Sequence, residues 1–241
     1  MLGRGMARVA AAGVAGATLA AWLSGTPLAA DGPAAATVRG ADADVLARFV
    51  AHPDEPTRAF RARRRLEITS GALGKKAWVE VRVELDPGQG FRYTVLGAGG
   101  SEMLQQKILL RVLCAEQEVY ASGGSWKTAL TSDNYAFAPG GRGPHGLVRL
   151  LATARRKEVG LLNGEFLVTP DTADLMEVSG TMAKAPSFWI SRVELRKRYA
   201  RLGGHRVNVE VQSVSHLRLF GVSRFSMTTQ YEEIDGDAVR Q

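Results

Sequence analysis

The chain has 241 residues, 45% of them hydrophobic and 23% charged, with a formal net charge of +7 and a single cysteine. One cysteine excludes an internal disulfide framework and a cysteine-rich metal site. The modest basic balance suits anionic lipid headgroups or envelope polymers as well as it suits nucleic acid, so charge alone does not name a partner.

Arg4 and Arg8 precede an almost uncharged apolar run from Val9 to Leu23, which gives way to Ser24-Gly25-Thr26-Pro27-Leu28-Ala29-Ala30. A positive start, an apolar middle and a small-residue end are the parts of a secretory signal peptide, and cleavage is expected after Ala30. The run is shorter than the roughly 20 residues that a spanning helix needs. The alternative is an uncleaved N-terminal anchor. Lipid acylation at the cleavage point would need a cysteine there, and Cys114 is far away. The mature protein is therefore expected to be soluble and periplasmic, with a formal charge of +5 once Arg4 and Arg8 are gone. Export removes nucleic acid from the expected partners.

Residues 31–41, rich in Ala and Gly, read as a flexible linker. From Asp42 the apolar positions Val45, Leu46, Phe49 and Val50 fall at helical spacing, and Pro53 and Pro56 end the helix. From Arg58 the period changes to 2. Arg58–Thr69 is a strand, and Trp78–Leu85 is a clearer one: Val79, Val81, Val83 and Leu85 face one way, while Glu80, Arg82 and Glu84 face the other. Asp86-Pro87-Gly88-Gln89-Gly90 is a turn, and Phe91–Leu96 a strand. Ser101 to Glu118 forms a second amphipathic helix with Ser101 as its cap. Its apolar stripe is Leu104, Ile108 and Val112 with Leu109 and Leu113, and Cys114 reads as buried on that side. Asn134–Phe137 and the Gly/Pro turn at 139–144 follow. Strands are then expected at 147–155, 161–169, 174–182, 188–199, 207–217 and 223–234. Turn signals lie at Asn163-Gly164, Pro170-Asp171, Ala185-Pro186 and Gly203-Gly204. This order predicts a mainly β (α+β) fold: an incomplete antiparallel β-barrel of about 9–11 strands with two helices forming a lid. The domain occupies residues 42–236, with a tail at 237–241.

Catalytic constellations are missing from the pattern. His52, His145, His205 and His216 lack the spacing of metal ligands. The glycine clusters at 97–100 and 139–143 have no phosphate-loop lysine, and no Gly-x-Ser-x-Gly elbow is present. Glu80 with Glu84, and Glu232 with Glu233, read as surface strand charges. The basic runs at 61–65, 155–157 and 196–198 read as solvated strand faces. No enzyme activity, metal or cofactor is expected. What remains is an apolar interior, either filled by side chains or left open for a ligand. Its candidate lining is Val79, Val81, Val83, Leu104, Ile108, Val112, Phe188 and Ile190.

The order of elements behind an export signal resembles the LolA/LolB-type lipoprotein-carrier superfamily. So do Ser132-Asp133-Asn134-Tyr135-Ala136-Phe137, Asn163-Gly164-Glu165-Phe166 within 161–170, and Lys184-Ala185-Pro186-Ser187-Phe188-Trp189. These segments look like an uncharacterised secreted bacterial branch of it. The resemblance implies a lidded half-barrel that shelters acyl chains of lipid or lipoprotein cargo. It also implies a part in outer-membrane lipoprotein sorting, inner- or outer-membrane partner proteins, and a monomer. Lys107 and Arg111 are then placed to meet headgroups or a donor membrane. The competing reading is an envelope sensor or scaffold with a filled barrel that binds a protein through its outer surface.

Overall fold

A computed structural model describes residues 33–51, 57–71, 73–123, 127–218 and 221–239. The expected leader at 1–30, the proline stop at 52–56 and the loop residues 124–126 lie outside them. The chain forms helix α1 (Pro33–Ala51), then strands β1 (Phe60–Ser70), β2 (Lys75–Asp86) and β3 (Gly90–Gly100). The second helix, α2, is a continuous run of Glu102–Leu104, a π-helical turn Gln105–Leu109 and the α-helical Leu110–Ala121. Seven longer strands follow: β4 (Tyr135–Arg142), β5 (Val148–Ala154), β6 (Leu162–Val168), β7 (Leu175–Met182), β8 (Ile190–Leu202), β9 (His205–Leu217) and β10 (Gly221–Ile234). A two-residue β11 (Asp237–Ala238) closes the described chain.

All the strands pair antiparallel in one sheet, in the order β3-β2-β1-β10-β9-β8-β7-β6-β5-β4, with β11 on β10. The sheet does not close on itself, and with its two helices it is the incomplete barrel that the strand rhythm predicts. β1 shows why the alternation works. Phe60, Ala62, Arg64, Leu66, Ile68 and Ser70 are buried, while Arg61, Arg63, Arg65, Glu67 and Thr69 are exposed. The exposed arginines stand in ion-pair rows across neighbouring strands, with Arg61 at 3.2 Å from Glu233 and Arg63 at 3.2 Å from Glu232. Most of the basic run at 61–65 is thus a solvated strand face, as its pattern suggests.

Several sequence expectations need correction. Helix α1 starts at Pro33, so the expected linker at 31–41 is helical from that point; proline suits a helical first position, and the alanines that follow are strong helix formers. The tail expected from 237 begins as β11, paired with Glu233 and Ile234. β4 runs through Pro139-Gly140-Gly141, expected as a turn; it is the last strand of the sheet, where a missing N–H leaves no ladder bond unmade. Asn163-Gly164 is no turn but the start of β6. Ser101 makes no side-chain cap bond to α2. Cys114 is only half-buried, 3.5 Å from the Tyr93 hydroxyl.

Two cores form on the covered face of the sheet. One joins β1, β2, β3 and β10 to α2 through Leu104, Leu109 and Leu113. The other joins β5, β6 and β7 to α1 through Val45 and Phe49. Phe49 meets Phe137 edge-on at 5.5 Å and Phe166 at 6.2 Å. Each helix therefore seals one flank, and the inner faces of β8, β9 and β10 lie between the two seals.

Candidate functional site

The π turn in α2 sets the site. Leu110 N–H bonds to the carbonyl of Gln105, five residues back, so the buried positions step from Leu104 to Leu109 and then to Leu113. A regular helix would have stacked Leu104, Ile108 and Val112 toward the core, as the sequence suggests. The wider turn instead gives the core Leu104, Leu109 and Leu113, and it frees Ile108 and Val112 to face sideways. Such turns recur at functional sites.

Beside that stripe lies a hollow of about 680 Å³. Its walls are Met103, Leu104, Ile108 and Val112 from α2, and Ile190, Val193 and Leu195 from β8. Val211, Ser213 and Ser215 of β9 and Phe225 of β10 form the floor, and Leu73, Met182 and Pro186 stand at its edge. Four of the sequence-named residues, Leu104, Ile108, Val112 and Ile190, meet here. Val79, Val81 and Val83 do not: they are at most 1% exposed, packed in the core beneath α2. Alternation told which side of β2 is apolar, but α2 covers that side. Phe188 lies outside the hollow, 74% exposed. Lys107 reaches the wall, whereas Arg111 is exposed on α2 and does not contribute to it.

Strand parity turns two cations inward, a placement that the basic runs around them mask in the sequence. Arg64 shares the inner face with Ala62 and Leu66, and is only 5% exposed. Its guanidinium donates to Glu116 of α2 at 2.5 Å and lies over the rings of Phe60 and Phe91, 5.8 and 5.7 Å from their centroids. Burial opposes its charge, but the carboxylate outweighs burial and raises its pKa above the ordinary value. Beside it, burial and the nearby Glu116 charge push the Tyr120 hydroxyl up to about 12. Lys197 shares inner parity with Val193, Leu195 and Tyr199, and pairs in register with Val178 and Val211. No carboxylate lies within ion-pairing distance of it among the described residues. Desolvation lowers its pKa, against a weaker opposing pull from Glu116.

Among the described residues no group of three His, Cys, Asp or Glu side chains is arranged to hold a metal ion, and no helix is long and apolar enough to cross a membrane. What the arrangement offers is enclosure: an apolar space with hydroxyls on its floor and a helix along its side.

The fold and site define a lidded, open antiparallel half-barrel. The chain is similar to a solved DUF1329 family protein from Desulfovibrio piger, with 11% identity and a TM-score of 0.38 over 80% of this chain and 91% of that one. It is also similar to a LolA superfamily protein from Nitrosomonas europaea, with 8% identity and a TM-score of 0.33 over 80% and 94% of the two chains. No protein-family model matches the sequence, and no curated protein sequence does.

Proposed function

We propose that the chain is a soluble periplasmic binder or carrier of lipid or lipoprotein acyl chains. In this reading it works without chemistry, as a monomer that takes part in outer-membrane lipoprotein sorting and exchanges cargo with membrane partners. The apolar hollow beside α2 is the observation that carries the reading. Its volume of about 680 Å³ falls among ligand pockets, which span roughly 300–1,000 Å³. Each methylene withdrawn from water contributes about 0.8 kcal/mol, so an acyl chain leaves a bilayer readily only for an equally apolar shelter.

The test is binding of a fluorescent fatty acid, together with native mass spectrometry of protein purified from a bacterial envelope. Saturable probe binding and co-purified acyl species are expected. Ser213→Trp, which puts an indole on the floor, should abolish probe binding while leaving the thermal midpoint near that of the parent. A clean apo mass with no probe binding would sink the reading and leave recognition by the outer surface.

A further inference from the structure

We propose that one end of the sheet is a docking edge for the interface of an anionic phospholipid bilayer. Strand register brings three connections to that end. Ser70 pairs with both Lys75 and Ser223, and Leu217 pairs with both Gly221 and Ile190. The β1–β2 hairpin, the β9–β10 hairpin and the loop from β7 to β8 therefore sit side by side. Helix α2 starts there too, because Ser101 N–H donates to the carbonyl of Lys76 at 2.9 Å.

Large apolar side chains are displayed at this edge. Leu73 is 49% exposed, Met103 43%, Phe188 74% and Trp189 56%. Phe188 and Trp189 are the most exposed large apolar residues among those described, and they stack edge-on at 5.5 Å. Their loop is built rather than loose. Arg218 donates from its backbone N–H to the Trp189 carbonyl at 2.9 Å and from its side chain to the Phe188 carbonyl at 2.8 Å, and its guanidinium lies 5.2 Å from the Phe188 ring centroid. An aromatic pair held outward at this cost in water contact suits a phase that is apolar on one side and wet on the other, the place where tryptophan collects at membranes.

Charge selects the surface. Exposed Lys75, Lys107, Lys184 and Arg218 surround the apolar group, and the turn carrying Arg155-Arg156-Lys157 is at the same end of the sheet. Of the carboxylates there, Glu102 and Asp133 are exposed and Glu158 is already held by Arg156 at 2.6 Å, so cations outnumber free acids at this end. Aromatics ringed by cations complement anionic headgroups, each cation adding attraction near such a surface. The edge is also the mouth of the hollow: Leu73, Met103, Lys107 and Pro186 belong to both. The docking edge thus deepens the acyl-binding reading and rests on it for its purpose, though the contact itself requires no cargo.

The test uses protein exported and purified from the envelope, with vesicles of phosphatidylcholine alone and with added phosphatidylglycerol. The parent should float with the anionic vesicles, and high salt should weaken it. Phe188→Ser with Trp189→Ser, and separately Lys107→Glu with Lys184→Glu, should each bind about tenfold more weakly. Vesicles with brominated acyl chains should quench indole emission in the parent, and this quenching should largely vanish in Trp189→Phe. Equal flotation of parent and serine variant, or undiminished quenching in Trp189→Phe, overturns the proposal. Fatty-acid probe binding in vesicle-free buffer keeps the two ideas apart: a serine variant that loses flotation but keeps the probe isolates docking, and Ser213→Trp should do the reverse.

Discussion

Among the described residues, Arg64 on β1 and Glu116 on α2 form the one cross-link in which a buried guanidinium of the sheet meets a carboxylate of the covering helix, at 2.5 Å. Their burial is unequal, with the Arg64 side chain 6% and that of Glu116 25% exposed. Removing either partner therefore has different consequences. Glu116→Ala strands a cation that water does not reach and should cost about 3 kcal/mol; Arg64→Met leaves a carboxylate that water partly solvates and should cost about 1–2 kcal/mol. Urea denaturation of both variants measures the order. Equal or reversed costs would show that the pair is not what fixes α2.

Lys197 should be a liability for stability. It is half-buried on the inner face of the sheet, in register with Val178 and Val211, without an ion-pair partner among the described residues, and desolvation lowers its pKa against a weaker pull from Glu116. A lysine of lowered pKa binds its proton less tightly in the fold than in the unfolded chain. The destabilisation is present below the folded pKa and fades as pH rises from there toward the unfolded value. Lys197→Met should raise the melting midpoint at neutral pH by about 2–4 °C, equivalent to roughly 1 kcal/mol. The gain should shrink at alkaline pH. A lower midpoint in calorimetry would mean that the ammonium has a stabilising role.

Gly164 and Gly180 face each other across β6 and β7. A Cβ on Gly164 would stand 2.0 Å from the carbonyl oxygen of Ser179 and 2.5 Å from the Gly180 Cα. Those are backbone atoms, which cannot swing aside. Gly164→Ala should cost about 3 kcal/mol or more and lower the yield of folded protein. Circular dichroism melts decide the matter, and a parent-like melt would mean that the strands can separate freely.

Acid should loosen the junction of β7 and β8. Asp174 accepts from the Arg201 Nε at 2.9 Å and from the Thr172 hydroxyl at 2.9 Å, and the Arg201 bond comes first in holding its pKa below the ordinary aspartate value. A depressed carboxyl contributes stability above its unfolded pKa of about 3.9 and loses it as pH falls through the folded value. Asp174→Asn should be less stable at neutral pH and show a shallower decline below about pH 4. Parallel acid limbs for parent and variant would remove the assignment.

The outline of the fold was legible because alternation and turn chemistry act over short stretches. Trp78 to Leu85 and Gly203-Gly204 needed no distant partner to be read. What escaped depended on neighbours. Pro139 reads as a breaker until β4 is known to be an edge. Asn163-Gly164 reads as a turn until Gly180 is seen opposite, with the Asn163 side chain accepting from Ala154 N–H at 2.8 Å. The site was half legible for the same reason. Leu104, Ile108, Val112 and Ile190 carry an apolar signal, but only the π turn separates core from hollow. Arg64 and Lys197 had the right parity all along, yet sat within basic runs that otherwise face water.

An unjoined sheet has a mechanical consequence. In a closed barrel, strand number and shear fix the bore, and widening it means breaking a complete hoop of hydrogen bonds. Here β3 and β4 end the ladder without meeting, so the flanks under α1 and α2 can spread apart by adding twist between adjacent strands. In the proposed carrier, guests of different girth would then be admitted at the expense of small adjustments in many torsions, with every ladder bond kept.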